Sequence, residues 1–122
     1  LPITFKSAGM DALNMNFDEK IAIYRIVQEG LTNIVKHANA SQATIRVVCS
    51  YPKIIVRIED DGNGFSVDEF AAKRSTEAGM GIWSMKERVG LLNGRMTTRS
   101  EIGQGTTILV EIPFQGDDRG AS

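Results

Sequence analysis

The sequence has little of what cross-links small proteins or anchors them in a membrane. Its single cysteine, Cys49, excludes an internal disulfide and a cysteine-rich zinc site. Its longest apolar runs have only the length of a strand, too short for a membrane-spanning helix, and no signal peptide opens the chain. These absences predict a reducing, cytoplasmic environment, with no direct contact between this domain and a membrane.

An excess of charge of either sign is also absent. The chain has 14 Lys and Arg residues against 15 Asp and Glu residues, for a net charge of -1. A protein that binds the phosphate backbone of DNA or RNA normally carries a basic surface, which this composition does not supply. We therefore expect no nucleic-acid partner.

What is present suffices for one globular domain. A chain of 122 residues with 42% hydrophobic content can bury a sizeable core but is too short for a second domain. We place this domain at residues 1–114 and expect a disordered tail at 115–122. Because the chain begins with Leu1 in a strand-like segment rather than with methionine, we expect it to be a piece of a longer protein.

A long helix over residues 18–38 is the clearest local prediction. Asp18 is a suitable N-cap, and no proline interrupts the segment that follows it. At about 100° per residue the helix has one apolar and one polar face. The apolar face carries Ile23, Val27, Leu31, Ile34 and Ala38; the polar face carries Arg25, Glu29, Asn33 and Lys36, with His37 at its margin.

The polar face of this helix has a chemically suggestive order. Most such faces are ordinary solvated surface. Glu29 and Asn33, however, lie one turn apart, and a stacked carboxylate and amide oxygen suit a hard cation. Lys36 and Arg25 could face anionic oxygens on the same side. The pattern indicates a magnesium-phosphate site in outline.

The rest of the chain alternates strands and turns. Strands are predicted at residues 1–5, 43–50, 53–60, 95–100 and 106–114, and a second helix at 82–92, closed by Gly94. Cys49 is predicted to be packed within its strand. Residues 65–72 are weakly helical in pattern, and residues 73–78 resemble a mobile segment.

Glycine pairs separate several of these elements. Each pair taken alone is typical of a turn. The second pair, Gly79/Gly81, however, is predicted to open a helix, whose free N–H groups and positive end attract phosphate. The chain has neither a Walker lysine loop nor a GxGxxG between a strand and a helix, which disfavours P-loop and Rossmann nucleotide binding. The three pairs are Gly62/Gly64, Gly79/Gly81 and Gly103/Gly105.

Four segments in this order match a known family. They read RIVQEGLTNIVKHANA, DDGNGF, GMGIWSMKERV and GQGTTILVEIP. Together they resemble the ATP-binding catalytic (HATPase_c) domain of sensor histidine kinases, within the GHKL ATPase superfamily. The first and third segments are similar to the NarX/DesK-like branch. The resemblance covers nearly the whole chain, from Leu1 to Phe114.

The resemblance implies a fold and a place for the nucleotide. The fold is α+β, a two-layer α/β sandwich of the GHKL/Bergerat type, with a mixed sheet packed on helices. ATP would lie between the helices and a short lid at about residues 65–78. On the first helix, the resemblance implies that Asn33 ligates Mg²⁺, that Glu29 supports the metal and its waters, and that Lys36 reaches the phosphates, with His37 in the same motif.

The three glycine pairs acquire roles by the same resemblance. Asp60 accepts a hydrogen bond from the exocyclic amine of adenine, where the carbonyl oxygen of guanine would meet an acceptor. Thr106 helps to form the adenine side of the pocket. Gly62 and Gly64 let the base approach, Gly79 and Gly81 border the lid, and Gly103 and Gly105 belong to the last motif.

The implied reaction is transfer of the γ-phosphoryl of ATP to a histidine. That histidine belongs to a separate dimerisation domain of the same parent protein, which implies a homodimer and relay to a LuxR-type response regulator. The phosphoacceptor motif is absent from this sequence, and His37 is not expected to be phosphorylated. We expect this chain to bind Mg-ATP without autophosphorylation.

Three other functions are compatible with the same residues. One is a serine-kinase anti-sigma factor of the superfamily, which an upstream sequence without a histidine-bearing helix would favour. Another is an ATPase of the gyrase or MutL kind, in which Glu29 acts as a general base. The third is a non-enzymatic docking module that binds ATP only to set a conformation.

Overall fold

The computed structural model describes residues 1–9, 15–66 and 77–114, with only the backbone described at 77–80. The predicted tail at 115–122 and residues 67–76 of the predicted lid and weak helix lie outside these residues. The described chain forms five strands and two helices. The strands are β1 (Ile3–Ala8), β2 (Ala43–Ser50), β3 (Lys53–Asp60), β4 (Arg95–Ser100) and β5 (Thr106–Pro113); the helices are α1 (Phe17–Asn33) and α2 (Glu77–Leu91).

The strands form one mixed sheet in the order β1-β2-β3-β5-β4. β1 runs parallel to β2, and the other three pairings are antiparallel. β3, which ends at Asp60, therefore lies at the centre of the sheet. This mixed sheet packed on helices confirms the predicted α+β fold.

The core lies between one face of the sheet and the two helices. Alternate residues of β3, Ile54, Val56 and Ile58, are at most 2% exposed and pack in one cluster with Ile26 of α1 and Met85 of α2. Burying one such side chain stabilises the fold by about 1.5–3 kcal/mol. The alternating pattern read from the sequence thus selects the face of the sheet that the helices cover.

The start of α1 differs from the prediction. The N-cap is Asn16, not Asp18: the Glu19 backbone N–H donates to Asn16 Oδ1 at 2.8 Å, and the Asn16 N–H donates to Glu19 Oε1 at 3.0 Å. This reciprocal capping box satisfies two backbone donors, which a cap at Asp18 would leave free. Phe17 is consequently the first helical residue rather than the residue before the cap.

The end of this helix also differs. After Asn33 the chain widens into a π-helical turn at Ile34–Ala38, and Asn39 then adopts a left-handed conformation with φ 50°. A π turn spans more residues than an α turn, so the predicted spacing of 100° per residue does not continue beyond Asn33.

The strand predictions hold at most boundaries. β2, β3 and β4 have the predicted bounds, β5 ends one residue early, and Cys49 is buried in β2 as predicted. β1 instead extends to Ala8, because its parallel pairing with β2 continues to Ala8 opposite Val48. Within the described part of the chain, no helix is both long and apolar enough to span a bilayer.

The second helix begins earlier than predicted and ends in a different conformation. It starts at Glu77 rather than Ile82. At its other end, Asn93 takes the left-handed conformation, with φ 59°, that the prediction gave to Gly94. The Gly94 N–H donates to the Val89 carbonyl at 3.0 Å and closes the turn.

Candidate functional site

A cavity of about 220 Å³ opens between α1, α2 and the ends of β3 and β5. Of the predicted site residues, those that line this cavity are Asn33, His37, Asp60, Gly64 and Thr106. They come from three separate segments of the sequence, so the fold brings together residues that the motifs place far apart. Among the described residues, six further predicted ones do not line it: Glu29, Lys36, Gly62, Gly81, Gly103 and Gly105.

Asp60 places a carboxylate at one end of the cavity. It is the last residue of β3, is only partly buried, and accepts a hydrogen bond from the Gly62 N–H at 2.8 Å. Desolvation raises the pKa of Asp60 above its ordinary value of 3.8, and the nearby Asp61 charge adds to this, against backbone hydrogen bonds from Gly62 and Thr106. A charged acceptor in a partly dry site favours a ligand that donates to it.

The loop after Asp60 is held against the end of α1. The Asn63 N–H donates to the Ala38 carbonyl at 2.7 Å, and a side chain at Gly62 would collide with that carbonyl. Asp61 accepts from two backbone N–H groups, those of Ser41 at 2.7 Å and Gln42 at 3.0 Å. These hydrogen bonds, chiefly that from Gln42, lower the pKa of Asp61 below 3.8. The predicted sharp turn is thus fixed by long-range contacts.

Gly64, which lines the cavity, and Gly105, which does not, allow backbone segments to touch. Gly64 and Gly105 have positive φ angles of 65° and 79°, and a side chain at either would overlap a neighbouring carbonyl oxygen, that of Glu101 or of Asp60. Gly103 also has a positive φ, 83°, but open space around it. Gly105 therefore supports the loops around the cavity, and neither glycine of the last pair lines it.

Ser100 joins these loops and has no counterpart among the predicted residues. Its Oγ accepts from the Phe65 N–H at 2.8 Å, donates to the Gly105 carbonyl at 3.0 Å, and lies 2.8 Å from Thr106 Oγ1. The Phe65 contact spans 35 positions in sequence. No local pattern could have revealed Ser100, since its partners meet only in the folded sheet.

The predicted polar face of α1 is divided by the fold. Glu29 and Asn33 are partly buried against α2, whereas Arg25 and Lys36 are exposed. A Cβ on Gly81 would lie 2.5 Å from Glu29 Oε1 and 3.0 Å from Asn33 Oδ1. The two oxygens therefore converge on one small space that exists because Gly81 has no side chain.

Gly81 has a different position from the one predicted. Since α2 begins at Glu77, Gly79 falls within the first four residues, whose N–H groups are free, but Gly81 does not. The idea that both glycines open the helix is therefore wrong for Gly81. Its observed role is to let α2 approach Glu29 and Asn33 closely.

The converging oxygens fit a hard cation. Mg²⁺ prefers oxygen ligands and commonly takes one or two from the protein, with waters and phosphate oxygens completing its shell. Beside the converging oxygens, the donor Asn33 Nδ2 is buried without a hydrogen-bond partner among the described residues, which costs about 1–3 kcal/mol. An acceptor such as a phosphate oxygen would offset this cost. Among the described residues, no three His, Cys, Asp or Glu side chains are grouped so that they could hold a metal ion.

The apolar walls of the cavity were not predicted as site residues. They include Ile34, Ile58, Ile82 and Ile108. Their signal was present in the alternation of the strands: Ile58 lies two residues before Asp60 and Ile108 two residues after Thr106, on the same face of the sheet. The cavity therefore combines apolar walls with a carboxylate acceptor, a lining suited to a heterocycle that has apolar faces and a donor at its edge.

This fold and site define a class of ATP-binding domain. Residues 18–116 match the family described as histidine kinase-, DNA gyrase B- and HSP90-like ATPases, and the chain belongs to that family. Its relatives are sensor kinases, which confirms the resemblance seen in the motifs.

Two relatives show the degree of similarity. The chain is 38% identical over 95 residues to the signal transduction histidine-protein kinase/phosphatase DegS of Bacillus subtilis, covering 78% of this chain and 24% of DegS. It is 34% identical over 108 residues to the sensor histidine kinase ComP of the same species, covering 87% of this chain and 13% of ComP. The chain thus spans about a quarter or less of the length of these relatives.

A solved structure shares the fold. Full-length ShkA in complex with AMPPNP superimposes with a TM-score of 0.71 at 19% identity, covering 93% of this chain and 26% of ShkA. At this identity the likeness establishes the fold alone.

Proposed function

We propose that this chain is the ATP-binding catalytic domain of a two-component sensor histidine kinase and that it binds Mg-ATP in the cavity. The observation that carries the proposal is the polarity of the cavity: apolar walls lead from the Asp60 carboxylate at one end to the Glu29 and Asn33 oxygens near the other. A purine fits the first end and a metal-bound phosphate chain the second.

The adenine end depends on hydrogen-bond direction. Asp60, held by the Gly62 N–H, accepts from the exocyclic amine of adenine. Guanine would present a carbonyl oxygen there, leaving two acceptors face to face without a proton between them. Gly64 and Thr106 border the base, and the close packing of Gly62 and Gly105 keeps their loops in place.

The phosphate end depends on α1 and α2. Asn33 and Glu29 hold Mg²⁺, which supplies charge neutralisation and orientation of the phosphates when bound. Lys36 is exposed on the π-helical turn and does not line the cavity, so we propose that its long side chain reaches the phosphates where they leave the cavity, which His37 borders. Gly79, in the first turn of α2, offers a backbone N–H to a phosphate oxygen.

The complete reaction requires residues outside this chain. In the parent protein, we propose that the γ-phosphoryl passes to a histidine on a dimerisation domain of a homodimer, and then to an aspartate of a LuxR-type response regulator. Positioning and charge neutralisation account for the catalysis. His37 is not the acceptor, and the reaction takes place in the cytoplasm.

Calorimetric titration of this chain with ATP and GTP, each with and without Mg²⁺, tests the proposal. Saturable binding of ATP that exceeds that of GTP, and that strengthens with Mg²⁺, is expected from the Asp60 and Glu29/Asn33 ends of the cavity. Absence of binding by either nucleotide would contradict the proposal and favour a docking role. Steady-state ATP hydrolysis by this chain alone would instead favour an ATPase of the gyrase kind.

A further inference from the structure

The hydrogen bonds of Ser100 determine where the protons at the adenine end lie. A serine hydroxyl has one proton and two lone pairs. The Gly105 carbonyl oxygen can only accept, so the Ser100 proton points to it. The Phe65 N–H can only donate and occupies one Ser100 lone pair. The remaining lone pair must therefore accept the proton of Thr106, across the 2.8 Å contact between the two hydroxyl groups.

This assignment restricts what Thr106 can offer a ligand. With its proton committed to Ser100, the Thr106 hydroxyl has only lone pairs left for the cavity that it lines. Asp60, directly opposite Thr106 in the paired strands, is also an acceptor. Both of these side chains therefore present acceptors to the cavity.

We propose that Ser100 is a positioning residue that makes Thr106 an obligate hydrogen-bond acceptor and thereby sharpens the preference of the cavity for a 6-amino purine over a 6-oxo purine. The inference rests on the proposed ATP-binding function. Ser100 does not line the cavity and acts through Thr106. Without Ser100, the Thr106 hydroxyl is free to rotate and to donate to the carbonyl oxygen of a 6-oxo purine.

The matched probes are ATP and inosine triphosphate, which differ in the amino or oxo group at position 6 of the purine. We expect Ser100→Ala to lower the ratio of ATP affinity to inosine triphosphate affinity by about five- to tenfold, the effect of one hydrogen bond. Ser100→Thr retains the hydroxyl on a residue suited to a strand and should restore the ratio. Thr106→Val should lower the ratio as well, and adding Ser100→Ala to it should cause no further change.

The possible results separate a role of Ser100 in purine selection from a purely structural role, and both from a failure of the proposed function. If Ser100→Ala weakens both nucleotides equally, Ser100 supports only the structure and the inference is overturned. If Ser100→Ala does not fold, Thr106→Val decides: a ratio equal to that of the wild type overturns the inference. If the wild-type chain binds neither nucleotide, the proposed function itself fails and the inference fails with it.

Discussion

Adding one methyl group at Gly81 should disturb the proposed magnesium ligands while leaving the fold intact. In Gly81→Ala the new Cβ would meet Glu29 Oε1 at 2.5 Å and the Asn33 amide atoms at 3.0 and 3.1 Å. All three atoms are at the ends of side chains, which can turn away without moving the backbone. The two oxygens would then no longer converge on the same space.

The expected magnitudes follow from this geometry. Replacing a helical glycine with alanine gains about 0.8–1 kcal/mol in helix propensity, which offsets much of the local crowding. The free energy of unfolding should therefore change by less than about 1 kcal/mol. Mutating residues that only orient metal ligands typically costs about 10- to 100-fold in metal affinity. Because Gly81→Ala would displace the proposed ligands themselves, we expect the factor by which Mg²⁺ strengthens ATP binding to fall by at least about tenfold.

Gly90→Ala is the matched control on the same helix. Gly90 is exposed and a Cβ there would meet nothing within 4 Å. This variant should gain stability by about 0.5–1 kcal/mol and bind Mg-ATP like the wild type. Urea unfolding measures the first quantity, and titration with ATP at several Mg²⁺ concentrations measures the second. Glu29 and Asn33 are not the magnesium ligands if the ATP affinity of Gly81→Ala depends on Mg²⁺ as in the wild type, or if the substitution lowers ATP affinity by the same factor with and without Mg²⁺.

Four further substitutions test the adenine end and the loops beside it. The folded-state pKa of Asp60 is raised, so ionising its carboxylate costs stability as pH rises from 3.8 through that pKa. Asp60→Asn should therefore unfold at higher urea than the wild type near pH 7, yet bind ATP about tenfold more weakly; lower stability or unchanged affinity would contradict this. The folded-state pKa of Asp61 is lowered, so its ionised carboxylate stabilises the fold. This stabilisation is fully present above pH 3.8 and is lost as pH falls through the folded-state pKa. Asp61→Ala should be less stable than the wild type at neutral pH, with a difference that disappears in acid; a constant difference would show that the charge is not responsible. Gly105→Ala combines a left-handed backbone with overlap on the Asp60 carbonyl, and should lose about 2 kcal/mol or more. Gly103→Ala has the same backbone conformation in open space and should lose only about 1 kcal/mol; equal losses in urea unfolding would refute the overlap.

Much of the site was predictable because its signals are local. The alternation of β3 placed Ile58 and Asp60 on one face, and the helical spacing placed Glu29 one turn from Asn33. The motif resemblance then assigned a nucleotide to them. Lys36 was predicted on the same helix face as this pair. The π-helical turn after Asn33 changes the angular spacing of the residues, and Lys36 is exposed outside the lining of the cavity.

Other features depend on choices between locally equivalent residues. Asn16 and Asp18 are both good N-cap residues, and the reciprocal bond with Glu19 selects Asn16. Asn93 and Gly94 are both able to adopt the left-handed conformation that ends α2, and Asn93 takes it. The three-residue spacing from Asn16 to Glu19 is a capping-box signal that the sequence does carry. The choice of Asn93 over Gly94, in contrast, depends on how the end of α2 packs, which composition and spacing do not encode.

The order of the elements, the buried face of each central strand and the family could be read from the amino-acid sequence, because periodicity and motifs are properties of neighbouring residues. The space that Gly81 creates where Glu29 and Asn33 converge, and the direction that Ser100 gives to the proton of Thr106, emerged only from the folded chain. Both depend on contacts between segments distant in the chain, where a difference of a few tenths of an ångström separates a hydrogen bond from a collision.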